Sequence, residues 1–178
     1  MENGELKNKI QSKFFHPFNP VIDKTSEILI LGTFPSIKSF ENEFYYGHPQ
    51  NQFWKILASI FNENEPKTIK EKIDFLKKHK IALWDAICEC KRSKSNSRDD
   101  NLTDIKPCPL EDLLKKYPNI KKVAVTSRLA EKVLKKNFKN SPLSILHSPI
   151  YLPSPSPLNA RMKINQKAEK WKELLQLT

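Results

Sequence analysis

The chain has 178 residues, with 31 Lys+Arg against 20 Asp+Glu and a formal net charge of +11. That length fits one domain around one core, and the charge favours a polyanionic partner: nucleic acid first, an anionic membrane surface second. No apolar run approaches the roughly twenty residues that span a bilayer, and the charged N-terminus lacks the apolar stretch of a secretory signal, so a cytoplasmic protein is expected.

No internal repeat or long linker breaks the chain. Residues 1–24 read as an irregular arm, interrupted by His16-Pro17-Phe18-Asn19-Pro20. Ile28–Leu31 is a continuous apolar run ended by Gly32, the pattern of a buried parallel strand. Residues 50–62 place apolar side chains at 53, 54, 57, 60 and 61, a helical spacing, with Pro49 just ahead. Residues 67–78 predict a second helix and Ile81–Trp84 a second strand. Three cysteines, Cys88, Cys90 and Cys108, are odd in number and too few for a disulfide framework or a four-thiolate cluster. Reduced, inert thiols are expected, a better fit than a metal at Cys88-Glu-Cys90. Residues 91–104 (KRSKSNSRDDNLTD) read as a polar loop with Asp99 and Asp100 in solvent. A short helix over 109–116, a strand over 123–126 and a helix over 129–138 follow. Residues 143–146 and 150–152 predict a fourth strand region, interrupted at Ser148-Pro149. A helix over 163–177 carries Ile164, Ala168, Trp171, Leu174 and Leu175 on its buried side.

Strands alternating with helices predict an α/β fold, a parallel sheet covered on both faces. In such sheets the ligand site lies at the carboxyl ends of the strands. The Gly32-Thr33-Phe34-Pro35-Ser36 turn and the segment 152–159 (LPSPSPLN) both follow strands and can share one rim. The turn allows close backbone approach and offers N–H groups to an anion or a base carbonyl, but it has neither the spaced glycines nor the lysine of a P-loop. In Tyr45-Tyr46-Gly47-His48-Pro49-Gln50-Asn51, aromatics ahead of a helix start can sandwich a base or simply pack in the core. Asn51 can cap the helix or present its carboxamide to water and a base oxygen. His48 can bond backbone or donate to a departing base.

In order along the chain, Gly32-Thr33-Phe34-Pro35, the segment from Tyr45 to Trp54 (YYGHPQNQFW), Leu83-Trp84-Asp85 and Leu152-Pro153-Ser154-Pro155-Ser156-Pro157 resemble the uracil-DNA glycosylase superfamily. They are most similar to its hypoxanthine-DNA (deoxyinosine) glycosylases; Pro20-Val21-Ile22-Asp23 matches that family's lead-in. The resemblance implies a three-layer α/β/α fold with a central four-stranded parallel sheet. It also implies a monofunctional enzyme that cleaves the bond between a deaminated base and deoxyribose. Relatives specific for mismatched uracil carry Asn in the first turn where this chain has Phe34. In the hypoxanthine group the Asn corresponding to Asn51 is the catalytic one, so the resemblance makes Asn51 catalytic. It puts Tyr46 in the base-stacking place and Leu158 at the tip of the loop that approaches the lesion. The third wall is Thr126-Ser127-Arg128, where the family shows an Asn-Gly-Lys-like turn.

The chemistry is compatible with these roles. A base within a duplex must be turned out at a cost of a few kcal/mol, and Leu158 can wedge into the vacated space or pack as an ordinary loop leucine. Three prolines stiffen the loop. Ser154 and Ser156 can donate to phosphates or bond locally, and Asn159 and Arg161 (with Lys163) adjoin them. Gly32, Thr33, Phe34 and Pro35 with Tyr46 and His48 would bind the base. The reaction needs no cofactor and no metal, and no lysine is placed for a Schiff base. Asp85 reads as a cap or structural residue. DNA is the expected partner of a monomer, with no obligate protein partner. The alternatives are a mismatch-type uracil-DNA glycosylase and a basic DNA-binding module without catalysis.

Overall fold

The structure is a computed structural model, which describes residues 12–93, 98–139, 141 and 148–177. In chain order its elements are β1 (Ser12–Phe15), β2 (Ile28–Gly32), α1 (Ile37–Glu41), α2 (Phe53–Phe61) and α3 (Ile69–Lys78). Then come β3 (Ile81–Asp85), β4 (Ile87–Arg92), a 3-10 turn (Asp99–Asn101), β5 (Leu102–Pro107) and α4 (Leu110–Lys116). The chain finishes with β6 (Lys122–Val125), α5 (Arg128–Phe138), β7 (Ile150–Tyr151) and α6 (Ile164–Leu175).

Four strands form a parallel sheet in the order β3-β2-β6-β7. β2 and β3 are buried along their whole length, which is why they read as unbroken apolar runs rather than alternating ones. Helices pack around the sheet in a three-layer α/β/α arrangement, α2 lying against α6 and α3 against β3. The α2–α6 seam centres on Phe53 and Trp171, both fully buried with ring centroids 5.7 Å apart. Local signals fix the helix starts. Thr68 and Glu71 cap α3 reciprocally, and Ser127 Oγ accepts the Ala130 N–H at the start of α5. Val21 exchanges two backbone bonds with Leu83, so the lead-in segment covers the open edge of β3.

A second sheet, antiparallel in the order β1-β4-β5, lies outside the predicted architecture. It corrects two expectations: part of the irregular arm is β1, and much of the polar 91–104 stretch is a hairpin. Within β5 only Leu102 is buried, and Thr103, Asp104, Lys106 and Pro107 face solvent, so its sequence resembles a loop. The hairpin brings Cys88 and Cys108 together as a disulfide, with Cα atoms 4.7 Å apart. The expectation of three reduced thiols is therefore wrong. The pairing is set by the β4–β5 register, in which Ile87 faces Pro107, and cysteine spacing alone could not reveal it. Cys90 is free and buried. The predicted strand over 143–146, along with His147, falls outside the described residues. Among the described residues no helix is long and apolar enough to cross a membrane, and no group of His, Cys, Asp and Glu could hold a metal.

Candidate active site

All four parallel strands end on one rim. Along it stand Asp85 at the end of β3, Gly32 at the end of β2 with Thr33 after it, Thr126 and Ser127 after β6, and Leu152 after β7. From β2 the chain goes first to β3 on one side and later to β6 on the other. The crevice between the ends of β2 and β6 is therefore the topological switch point, where ligands bind in open α/β sheets.

Gly32 forms the floor. A Cβ added there would lie 2.2 Å from Asp85 Oδ1 and 3.1 Å from the Tyr46 hydroxyl, so the glycine is required by the close approach of the Asp85 carboxylate. Asp85 Oδ2 is held 2.7 Å from His16 Nε2, both side chains being almost fully buried. His16 Nδ1 lies 3.0 Å from Phe18 O and 3.2 Å from Phe18 N, so the ring is held at both nitrogens. Asp85 is thus paired with His16 at the end of β3. His16, read only as part of an irregular arm, is its partner across 69 positions.

Tyr46 crosses the floor. Its hydroxyl bonds Thr126 Oγ1 at 3.0 Å, and its ring stacks on Phe53 with centroids 3.9 Å apart and planes 6° from parallel. Its φ of 52° is left-handed, rare for a bulky residue and a mark of local strain. Burial, reinforced by the Asp85 charge, pushes its phenol well above the ordinary range, so it stays a neutral donor. Tyr45, by contrast, is core: it is 2% exposed and donates to Asn19 O. His48 accepts the Gln50 N–H on Nδ1, which leaves its Nε2 as the donor in the neutral ring. Asn51, one residue before the Gln52 N-cap, accepts the Phe53 N–H on Oδ1 at 3.0 Å; no bond from its Nδ2 is found among the described residues.

The loop from 152 to 159 docks beside this segment. Gln52 N donates to Pro155 O at 2.9 Å and Trp171 Nε1 to Pro153 O at 2.9 Å. Lys167 is completely buried, with Nζ bonded to Gln52 Oε1 at 2.8 Å and Asn159 O at 3.0 Å. Its ammonium pins the start of α2 to the loop. Within the loop, Ser154 Oγ accepts from Ser156 N, Ser156 Oγ accepts from Leu158 N, and Asn159 Nδ2 donates to Ser154 O. At its tip Leu158 is 74% exposed, and Arg161 and Lys163 beyond it are exposed.

Two segments about a hundred positions apart thus meet through Gln52 and Pro155, and comparison with known proteins says what they belong to. The family model described as the Uracil DNA glycosylase superfamily matches residues 20–176. The chain belongs to that superfamily. A protein of Methanosarcina barkeri (strain Fusaro) named hypoxanthine DNA glycosylase is 38% identical over 107 residues, which is 60% of this chain and 66% of that protein, just under two thirds. A Methanosarcina acetivorans protein of the same name is 29% identical over 153 residues, 85% of this chain and 92% of that one. A solution NMR structure of a candidate uracil DNA glycosylase from Methanosarcina acetivorans superposes with a TM-score of 0.74 at 28% identity, covering 90% of this chain and 96% of that chain.

In this superfamily member the first turn is held from beneath. Phe34 is buried, and the Arg92 guanidinium lies 5.6 Å from its ring centre while donating to Pro35 O at 3.0 Å. Phe34 and Pro35 therefore contribute backbone and shape to the rim, not an exposed side chain. Thr33 Oγ1 donates to Asp99 Oδ2 at 2.8 Å and lies 2.6 Å from Ser127 Oγ. Asp99 was expected in solvent; it is folded onto the rim instead. Only Asp100, beside Arg98, is solvated. Burial pushes the Asp99 carboxyl above its ordinary value, against the pull of the Thr33 and Ser127 hydroxyls. No local signal separates Asp99 from its neighbour, because its partners Thr33 and Ser127 are far from it in sequence.

Proposed function

We propose that this protein is a monofunctional DNA glycosylase that removes hypoxanthine from deoxyinosine in DNA. The reading is carried by the docking of 152–159 against 46–52 through the Gln52–Pro155 bond, at the crevice where β2 and β6 end. The relatives named hypoxanthine DNA glycosylase support the choice of base.

The target base must leave the stack to reach such a crevice. Leu158, exposed at the loop tip, fills the gap it leaves. Ser154 and Ser156 spend their Oγ lone pairs on loop N–H groups, so their O–H protons are directed to flanking phosphates, with Arg161 adding charge. Asn159 braces the loop through Ser154. The flipped purine lies on the face of Tyr46 away from Phe53, with the backbone of Gly32, Thr33, Phe34 and Pro35 along its edge. Stacking of this kind is worth roughly 1–3 kcal/mol per base.

Asn51 is anchored through Oδ1 and offers Nδ2 to the base oxygen. His48 offers Nε2–H. As the glycosidic bond stretches, negative charge grows on the purine; a fixed donor aimed at it contributes roughly 3–4 kcal/mol. Lys167, the buried lysine nearest the loop, has its Nζ engaged by two acceptors, which supports simple hydrolysis without a Schiff base. The test is a panel of duplexes carrying inosine, uracil opposite guanine, or xanthine, analysed with and without alkali. Free hypoxanthine with strand breaks only after alkali is expected; breaks without alkali would refute monofunctional hydrolysis. The uracil arm tests the second reading, supported by the similarity to a candidate uracil DNA glycosylase.

A further inference from the structure

We infer that Asp99 is the general base of the reaction, the group that takes a proton from the attacking water. The inference rests on the glycosylase reading and assigns a role that the sequence motifs leave open. Phe34 stands in the first turn where related enzymes have a water-positioning side chain, and Asn51 Oδ1 is bonded to the α2 backbone.

The placement of Asp99 is specific. The 3-10 turn Asp99–Asn101 at the head of the β4–β5 hairpin carries it over the crevice between β2 and β6. There Thr33 Oγ1 donates to Oδ2 at 2.8 Å, and Ser127, which caps α5, bonds the same carboxylate. Asp99 therefore touches both walls of the switch point. An ionised carboxylate has about four acceptor sites; Thr33 and Ser127 use two, leaving room for a water. The charged and titratable groups around it are Asp85 from β3, Arg92 from β4 and Tyr46 ahead of α2. Asp85 opposes its ionisation and Arg92 favours it. Burial moves its carboxyl upward, toward a better base near neutral pH.

In the step, the water oxygen bonds to C1′ as the C1′–N9 bond breaks, and that bonding pair leaves with the purine. The water's proton passes to the Asp99 carboxylate. The departing purine gains a proton from solvent, and Asp99 later returns its proton to solvent.

Single-turnover excision from an inosine duplex tests this, for wild type and Asp99→Asn, across pH 4 to 9. Asn still accepts from Thr33, so Asp99→Asn should fold, checked by melting, and should bind lesion duplex within about threefold of wild type. Its excision rate should fall about 100-fold or more, the range for a lost general base. The wild-type rate should drop on acidification, with a midpoint above the ordinary aspartate value, and that limb should vanish in the variant. Formate added to Asp99→Gly should restore part of the rate, which a purely structural role would not allow. A variant within threefold of wild type with the acid limb intact would overturn the assignment and leave the glycosylase reading standing. Should Asp99→Asn fail to fold, the wild-type profile decides: a rate flat from pH 4 to 8 overturns it. A wild type that releases no base from any lesion overturns both.

Discussion

In the proposed mechanism the Asn51 carboxamide has two tasks: its oxygen accepts the Phe53 N–H at the start of α2, and its NH2 would bind the base. Substitutions separate the two. Asn51→Asp keeps an acceptor for the Phe53 N–H, so its melting should stay near wild type, while inosine excision falls about 100-fold or more through loss of the donor. Asn51→Ala should show the same rate loss plus about 1 kcal/mol of lost cap. Wild-type excision by Asn51→Asp would remove the carboxamide from the chemistry. Gly32 presents a packing constraint. In Gly32→Ala the methyl would meet Asp85 Oδ1, which is locked by His16, so destabilisation of about 1–3 kcal/mol is expected in denaturant titration. No change would mean that the buried pair yields readily. Asp99 has a pH signature. Its folded value lies above the unfolded 3.8, so the folded state binds more protons between the two values. Its favourable contribution is complete below the unfolded value and is lost as pH rises through the folded one. Asp99→Asn should therefore melt at or above wild type at pH 7, a residue kept despite what it costs the fold.

Element by element, the parallel sheet was legible and the antiparallel one was not. β2, β3 and β6 are buried through most of their residues and announce themselves as apolar runs. β4 and β5 are both mixed in sequence, apolar residues alternating irregularly with polar and charged ones, and nothing local distinguishes that from a solvated loop. Everything the hairpin brings was hidden with it: the Cys88–Cys108 bond, Arg92 under the first turn, and Asp99. The candidate site was visible where it rests on contiguous segments, at 32–35, 46–51 and 152–159. It was invisible where it rests on single polar residues meeting across the fold, such as His16 with Asp85 or Lys167 with Gln52. The Lys167 link has a consequence at this scale. Lys167→Met would leave Gln52 Oε1 and Asn159 O unbonded, at about 1–3 kcal/mol, and should slow excision more than it weakens the fold, because the loop loses its tie to α2. Leu158→Ala should slow excision from duplex DNA and leave single-stranded substrate nearly unaffected, since only a duplex needs its gap filled.

Across the whole molecule, many carboxylates are already committed. Glu27, Glu63, Glu89 and Glu131 each hold two basic side chains, and such surface pairs add little stability. The excess of basic residues is left to act on a polyanion, so lesion-duplex affinity should fall steeply with salt. The fold places Tyr46 on the rim beside Thr126 and docks the loop that carries Leu158 against Gln52. The most direct measurement is a crystal structure of the protein with a duplex carrying a non-cleavable 2′-fluoro-deoxyinosine. The expected result is the purine outside the stack against Tyr46, Asn51 Nδ2 at hydrogen-bond distance from its oxygen, and Leu158 in the vacated space. A purine still paired within the duplex, or one bound away from the crevice between β2 and β6, would contradict the account.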